Sequence, residues 1–149
     1  MTYKYITTKP FTYVAKKGTR PFGYFAAPFM GIFNNTITIP AGYAWNGCFP
    51  KFRLFGKIIG APDFGIVTEE ASLVHSALYQ YAGLHDVTKD EADEIFYDLM
   101  KVYNFKLAWF YYRVVRLFTS YFWDKCVHDN LVKYGPKPNV GRNGTTKTN

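Results

Sequence analysis

His75 and Asp93 are the residues of this chain whose types and placement suit acid–base chemistry. An imidazole titrates near neutral pH, and a carboxylate bonded to one ring nitrogen fixes the tautomer and readies the other nitrogen as a base toward water. Both fall on the inner edges of stretches with helical period. The same contact suits a second role, a buried histidine satisfied by a structural aspartate. Tyr79 lies one turn beyond His75 on the same stripe, where it either completes such a network or is ordinary core. The adjacent pairs His85–Asp86 and His128–Asp129 read as surface, because neighbours in a helix or loop do not face one another. Cys48 and Cys126 have no CxxC spacing, and the Cys and His positions lack zinc-ligand spacing, so no metal site is expected.

The period of the apolar residues says which elements position these groups. Residues 1–50 read as strands and turns: Tyr3 and Tyr5, Phe11 and Tyr13, and Ile37 and Ile39 each alternate with polar neighbours, the last pair after the turn residues Asn34 and Asn35. Pro40 and Gly42 stop that strand. Residues 21–31 are rich in aromatics, Gly and Pro with no clear period, and stay unassigned between a loop and an irregular hairpin.

From Thr68 the spacing turns helical, with Ala71, Val74, His75, Leu78, Tyr79 and Ala82 on one stripe, Glu69 and Glu70 near the N-terminus, and Gly83 as a stop. A second helix opens on the capping box Thr88–Glu91 and aligns Ala92, Phe96, Leu99 and Tyr103 with Asp93 at the edge; the short connection favours an antiparallel pair. A third helix is expected over residues 106–123, apolar on most sides and so either central or shared with a neighbour. The expectation is a single α+β domain over residues 1–134, an antiparallel β portion packed on about three helices, followed by a flexible basic tail over 135–149.

At 149 residues a sizeable core needs no disulfide or metal. The net charge of +7 is unevenly spread: residues 1–62 carry eight Lys or Arg and no acid, whereas residues 63–134 carry eleven acids against seven bases. Such a split suits nucleic acid, an anionic membrane, an acidic protein or head-to-tail joining of copies, and also a merely solvated basic surface. The N-terminus lacks the apolar core of a signal peptide, which with the cysteine pattern points to synthesis in a reducing cytoplasm. The longest apolar run is interrupted by Arg113 and Arg116, so no spanning segment is expected. Lys51 and Arg53, with Lys16, Lys17, Arg20 and Lys57 among aromatics, fit phosphate contacts and base stacking without any RRM, KH or helix-turn-helix signature. Lys106, Arg113 and Arg116 beside Trp109, Tyr111, Tyr112 and Trp123 match an interfacial mixture of aromatics and cations, and equally a core or subunit-contact helix. Trp45 and Asn46 either pack a tight turn or form one wall of a pocket with Asn46 toward His75.

The order Ile39–Gly47, then Val74–His75–x–x–Leu78–Tyr79, then Lys89–x–x–Ala92–Asp93–x–x–Phe96, resembles a domain-of-unknown-function family widespread in tailed phages and prophages, over residues 36–118. The helix motifs are more distantly similar to phospholipase A2, especially its short viral forms. That second resemblance implies His75 as the base, Asp93 as its orienting carboxylate, and a calcium-binding Asp after the His. Ser76 stands there instead, and a neutral hydroxyl is a poor ligand for a hard cation, so calcium is disfavoured and no cofactor is expected. The expected function is that of a small phage-encoded accessory or virion-associated protein, made in the host cytoplasm, which binds other phage proteins or itself and keeps a degenerate His/Asp site. The alternatives are a phospholipid or envelope ester hydrolase using His75, and non-specific nucleic-acid binding.

Overall fold

Alternation of apolar and polar residues in the N-terminal third produces antiparallel strands with one face on the core. The computed structural model describes residues 2–45 and 68–135, and the backbone of 51–54, 57–60, 66 and 67. A four-stranded sheet has the order β2 (Phe11–Val14), β5 (Thr36–Ile39), β4 (Met30–Phe33), β3 (Tyr24–Ala27). Its inward residues Met30, Ile32, Ile37 and Ile39 are fully buried while the intervening threonines stay partly open. β1 (Tyr5–Ile6) pairs with β6 (Ala44–Trp45), and β7 (Lys51–Leu54) with β8 (Lys57–Gly60), both antiparallel.

The unassigned stretch 21–31 is a hairpin: Ala27 opposes Met30, leaving Pro28 and Phe29 as its turn, and Phe22 beneath it is buried. The Asn34–Asn35 pair makes the next tight turn between Phe33 and Thr36, with Asn34 at φ 53°, a left-handed conformation that asparagine tolerates.

Helices α1 (Ile66–Gln80) and α2 (Lys89–Val102) form the closest helical pair. Their contacts run Glu70 to Tyr103 at one end and His75 to Asp93 further along, the pairing of antiparallel helices. Ala71, Val74, Leu78, Ala92 and Phe96 are buried between them and the sheet. The Thr88–Glu91 capping box closes in both directions, at 3.2 and 2.8 Å. Gly83 ends the segment after α1 at φ +82°, where a Cβ would come within 3.0 Å of Val127. Only glycine suits both the conformation and that approach.

Among the described residues four helices follow the sheet, where about three were expected. The stretch expected as one helix breaks at Thr119 into α3 (Ala108–Phe118) and α4 (Ser120–Tyr134). The Thr119 hydroxyl turns back on the Val115 carbonyl at 2.5 Å, the same oxygen that takes the Thr119 amide at 3.2 Å, and such a side-chain bond to the preceding turn bends a helix. The change of direction explains why the segment is apolar on several sides: α3 buries Ala108, Tyr111 and Val115, while α4 has no fully buried residue. The chain is thus α+β as expected. The tail expectation lies, from residue 136 onward, outside the described residues. No helix among the described residues is long and apolar enough to cross a membrane.

Candidate functional site

Two segments distant in sequence are pinned together to make one wall of the site. Thr7 donates its amide to Tyr43 O at 2.8 Å and accepts Gly42 N at 2.7 Å on its carbonyl, and its side-chain hydroxyl takes the Tyr43 amide at 2.9 Å. This brace sets β1 beside β6, so that the Tyr5 ring stacks on Trp45 at 5.2 Å and Tyr43 stacks on its other neighbour side at 6.2 Å. The Trp45 indole N–H then donates to Ser72 Oγ on α1 at 3.0 Å, fixing the aromatic wall against the helix.

His75 and Asp93 meet as the spacing predicts. His75 Nε2 lies 2.9 Å from Asp93 Oδ1, and both side chains are almost wholly enclosed. The carboxylate also accepts Tyr79 OH at 2.8 Å on the same oxygen and Lys89 Nζ at 2.6 Å on the other. Burial alone would raise the Asp93 pKa, but the bonds and charges of His75 and Lys89 outweigh it and hold the carboxyl below its ordinary range. An ionised Asp93 makes Nε2 the donor. Tyr79 is pushed far up, first by burial and then by the neighbouring carboxylate, so its hydroxyl keeps its proton. Thr119 Oγ1 sits 2.8 Å from Tyr79 OH as well as against Val115 O, and its one proton is divided between the two.

The other face of the dyad opens on a cavity of about 270 Å³ lined by Tyr3, Tyr43, Ala44, Trp45, His75, Ser76, Tyr79, Gln80, Thr119, Phe122 and Cys126. Among the described residues, the sealed side-chain polar atoms without a partner are Asn35 Oδ1 and Ser76 Oγ. Among the described residues His75 Nδ1 has no hydrogen-bond partner, and its ring lines the cavity. The ring is clamped between Tyr79 at 4.2 Å and Phe96 at 4.9 Å, so Nδ1 has a fixed aim. Cys126 on the far wall has its thiol pKa raised, chiefly by burial, and is a weak nucleophile.

Trp45 therefore joins His75, Tyr79 and Asp93 at one site. Asn46 lies outside the described residues, as do the side chains of Lys51 and Arg53 on β7. Arg113 is on the exposed side of α3 against the Trp109 ring, away from the cavity, and Arg116 pairs with Asp90 at 2.8 Å. Of the other cations grouped for phosphate contact, Lys16 pairs with Asp98 and Arg20 grips Glu91 through two nitrogens.

The reading of His85 as surface is corrected. His85 is 9% exposed, its Nε2 donating to Leu78 O at 2.8 Å and its Nδ1 accepting Val87 N at 3.2 Å. A ring can bond two loop backbone groups at once without facing its sequence neighbour. His128–Asp129 is exposed as expected.

Sequence reasoning missed Lys89 and Thr119 in the network and Tyr3, Tyr43 and Phe122 in the cavity wall. Lys89 was legible as the i,i+4 partner of Asp93. Thr119 was hidden inside a stretch that looked continuously helical. Among the described residues no three His, Cys, Asp or Glu side chains are grouped to hold a metal ion. No family model, no curated protein and no solved structure matches this chain.

Proposed function

We propose that this chain is a small phage-encoded accessory or virion-associated protein that acts by binding, with the aromatic cavity beside His75 as its ligand site. The phage assignment is supported by the loop and helix motifs of residues 36–118; the binding role is carried by one observation, a His75 ring that lines the cavity while Asp93 holds its Nε2, its Nδ1 having no partner among the described residues. A cavity of this size stands near the lower end for small-molecule sites, where apolar walls hold the body of a ligand and few polar groups orient it. The fitting ligand has an apolar body and one hydroxyl group that donates to Nδ1. Asp93 favours binding over turnover, because three donors share its charge and Lys89 neutralises it. It holds the ring rather than strengthening it as a base.

The second reading is hydrolysis, favoured by the direction of the dyad: with Nε2 committed to Asp93, Nδ1 is the nitrogen that would take a proton from water. One experiment separates the two. A medium-chain fatty alcohol is titrated into wild type and His75→Ala by calorimetry, and mixed phospholipid vesicles are assayed for turnover with calcium and with chelator, adding Ser76→Asp. Binding lost in His75→Ala without turnover in any protein is the expected result. Turnover by wild type that is lost in His75→Ala establishes the hydrolase, and turnover only in Ser76→Asp marks a degenerate enzyme. Equal binding of the fatty alcohol by wild type and His75→Ala removes Nδ1 from recognition.

A further inference from the structure

Soluble surfaces seldom gather large apolar side chains unless something covers them. On α3, Trp109 and Leu117 stand eight residues apart with Arg113 midway between them, all on one exposed stripe, and Phe110 beside it is also exposed. Past the break at Thr119 the apolar surface continues through Tyr121, 71% exposed, to Phe122, which is 40% exposed and also lines the cavity. The charge of this segment is one-sided. Between Asp98 and Asp124 the chain has no acid, and carries Lys101, Lys106, Arg113 and Arg116, of which Lys101 pairs with Asp98 and Arg116 with Asp90.

We propose that the exposed face running from α3 into α4 seats the protein on an anionic lipid surface, with Trp109, Phe110 and Leu117 entering the headgroup boundary and Lys106 and Arg113 meeting the lipid phosphates. A helix with aromatics on one face and interspersed cations lies in the plane of such an interface. Arg113 is within 5.7 Å of the Trp109 ring, which lets the cation stay beside the apolar group as both approach the headgroups. A second copy of the chain fits the face less well. A twofold pairing would set Lys106 and Arg113 against their own copies with no acid on the segment to answer them, whereas anionic headgroups supply the missing charge. The proposal rests on exposure and charge and stands independently of what the cavity holds.

The test is co-sedimentation of the full chain with phosphatidylglycerol–phosphatidylcholine vesicles and with phosphatidylcholine alone, at low and high salt. Wild type should partition onto the anionic vesicles and lose most of that binding in high salt. Near the surface each basic residue contributes roughly fivefold to partitioning, so Arg113→Glu should lower it about twenty- to thirtyfold. The Trp109→Ala/Leu117→Ala double variant should lower it at least as far. Both substitutions are on exposed positions, and an unchanged thermal midpoint checks that the fold is kept. His75→Ala should partition as wild type does, which separates failure of this surface from failure of the cavity reading. The proposal is overturned if wild type does not sediment with anionic vesicles, if the variants sediment equally well, or if the substitutions abolish only a self-association seen by sedimentation velocity.

Discussion

Two buried histidines, ten positions apart, show how the same residue type is put to different use. His85 has both ring nitrogens taken by loop backbone and packs between Phe25 at 5.8 Å and Trp123 at 6.1 Å, outside the cavity. His75 has one nitrogen held by a carboxylate and the other at the cavity. Burial does not separate them, since both are enclosed. The second nitrogen does. A ring that spends both nitrogens on backbone is a cross-link, whereas a ring oriented through one nitrogen has the other available to a ligand.

The largest effect should come from the shared anchor of the second region. Asp93→Leu leaves His75, Tyr79 and Lys89 without their acceptor, and removing one partner of a buried charged network costs about 3–5 kcal/mol. Chemical denaturation should show the loss as a lower midpoint with an unchanged slope. Next comes the cross-link itself. His85→Leu orphans the Leu78 carbonyl and the Val87 amide, at about 1–3 kcal/mol for each buried group left unpaired, and it should leave binding of the fatty alcohol intact in the protein that remains folded. His75→Ala should cost less stability, about 1–2 kcal/mol, because the vacated volume opens into an existing cavity and Asp93 keeps Tyr79 and Lys89. It should nevertheless abolish ligand binding. If His75→Ala unfolds the chain as readily as His85→Leu, the distinction between the two histidines fails and both are structural.

How far the molecule was legible follows the same division. The α1–α2 pair was readable because its stripe, its Gly83 stop and its capping box are local signals that agree with one another, and they place His75 opposite Asp93. The strands were readable wherever side chains alternate, but not in residues 21–31, where turn residues and aromatics obscure a period of two. What stayed hidden depends on contacts across long stretches of sequence. Thr119 lies at the break between α3 and α4 and meets Tyr79 forty residues away, and Tyr43 reaches the cavity because Thr7, thirty-six residues earlier in the chain, braces it from across the β1–β6 ladder. His85 was misread for the same reason, since its partners are backbone groups that carry no residue signature.

The smallest effect, and the sharpest on the comparison, is in the pH dependence. Burial lowers the His85 pKa from the ordinary 6.5, in keeping with an Nδ1 that must stay bare to accept Val87 N–H. The unfolded chain therefore binds more protons than the folded one between the lowered value and 6.5, and stability rises with pH across that window. The contribution is fully present above 6.5 and is lost as pH falls through the folded pKa. Asp93 has the same sign further down: its carboxyl lies below the ordinary 3.8, so the stability of the network is present above 3.8 and is lost in stronger acid. Thermal midpoints followed downward from neutral pH should fall in two stages. In His85→Gln, whose amide can donate to Leu78 O and accept from Val87 N without titrating, the first stage should disappear and the second remain. A first stage that survives in His85→Gln would assign it to another group and take from His85 the uncharged state that its two backbone bonds require.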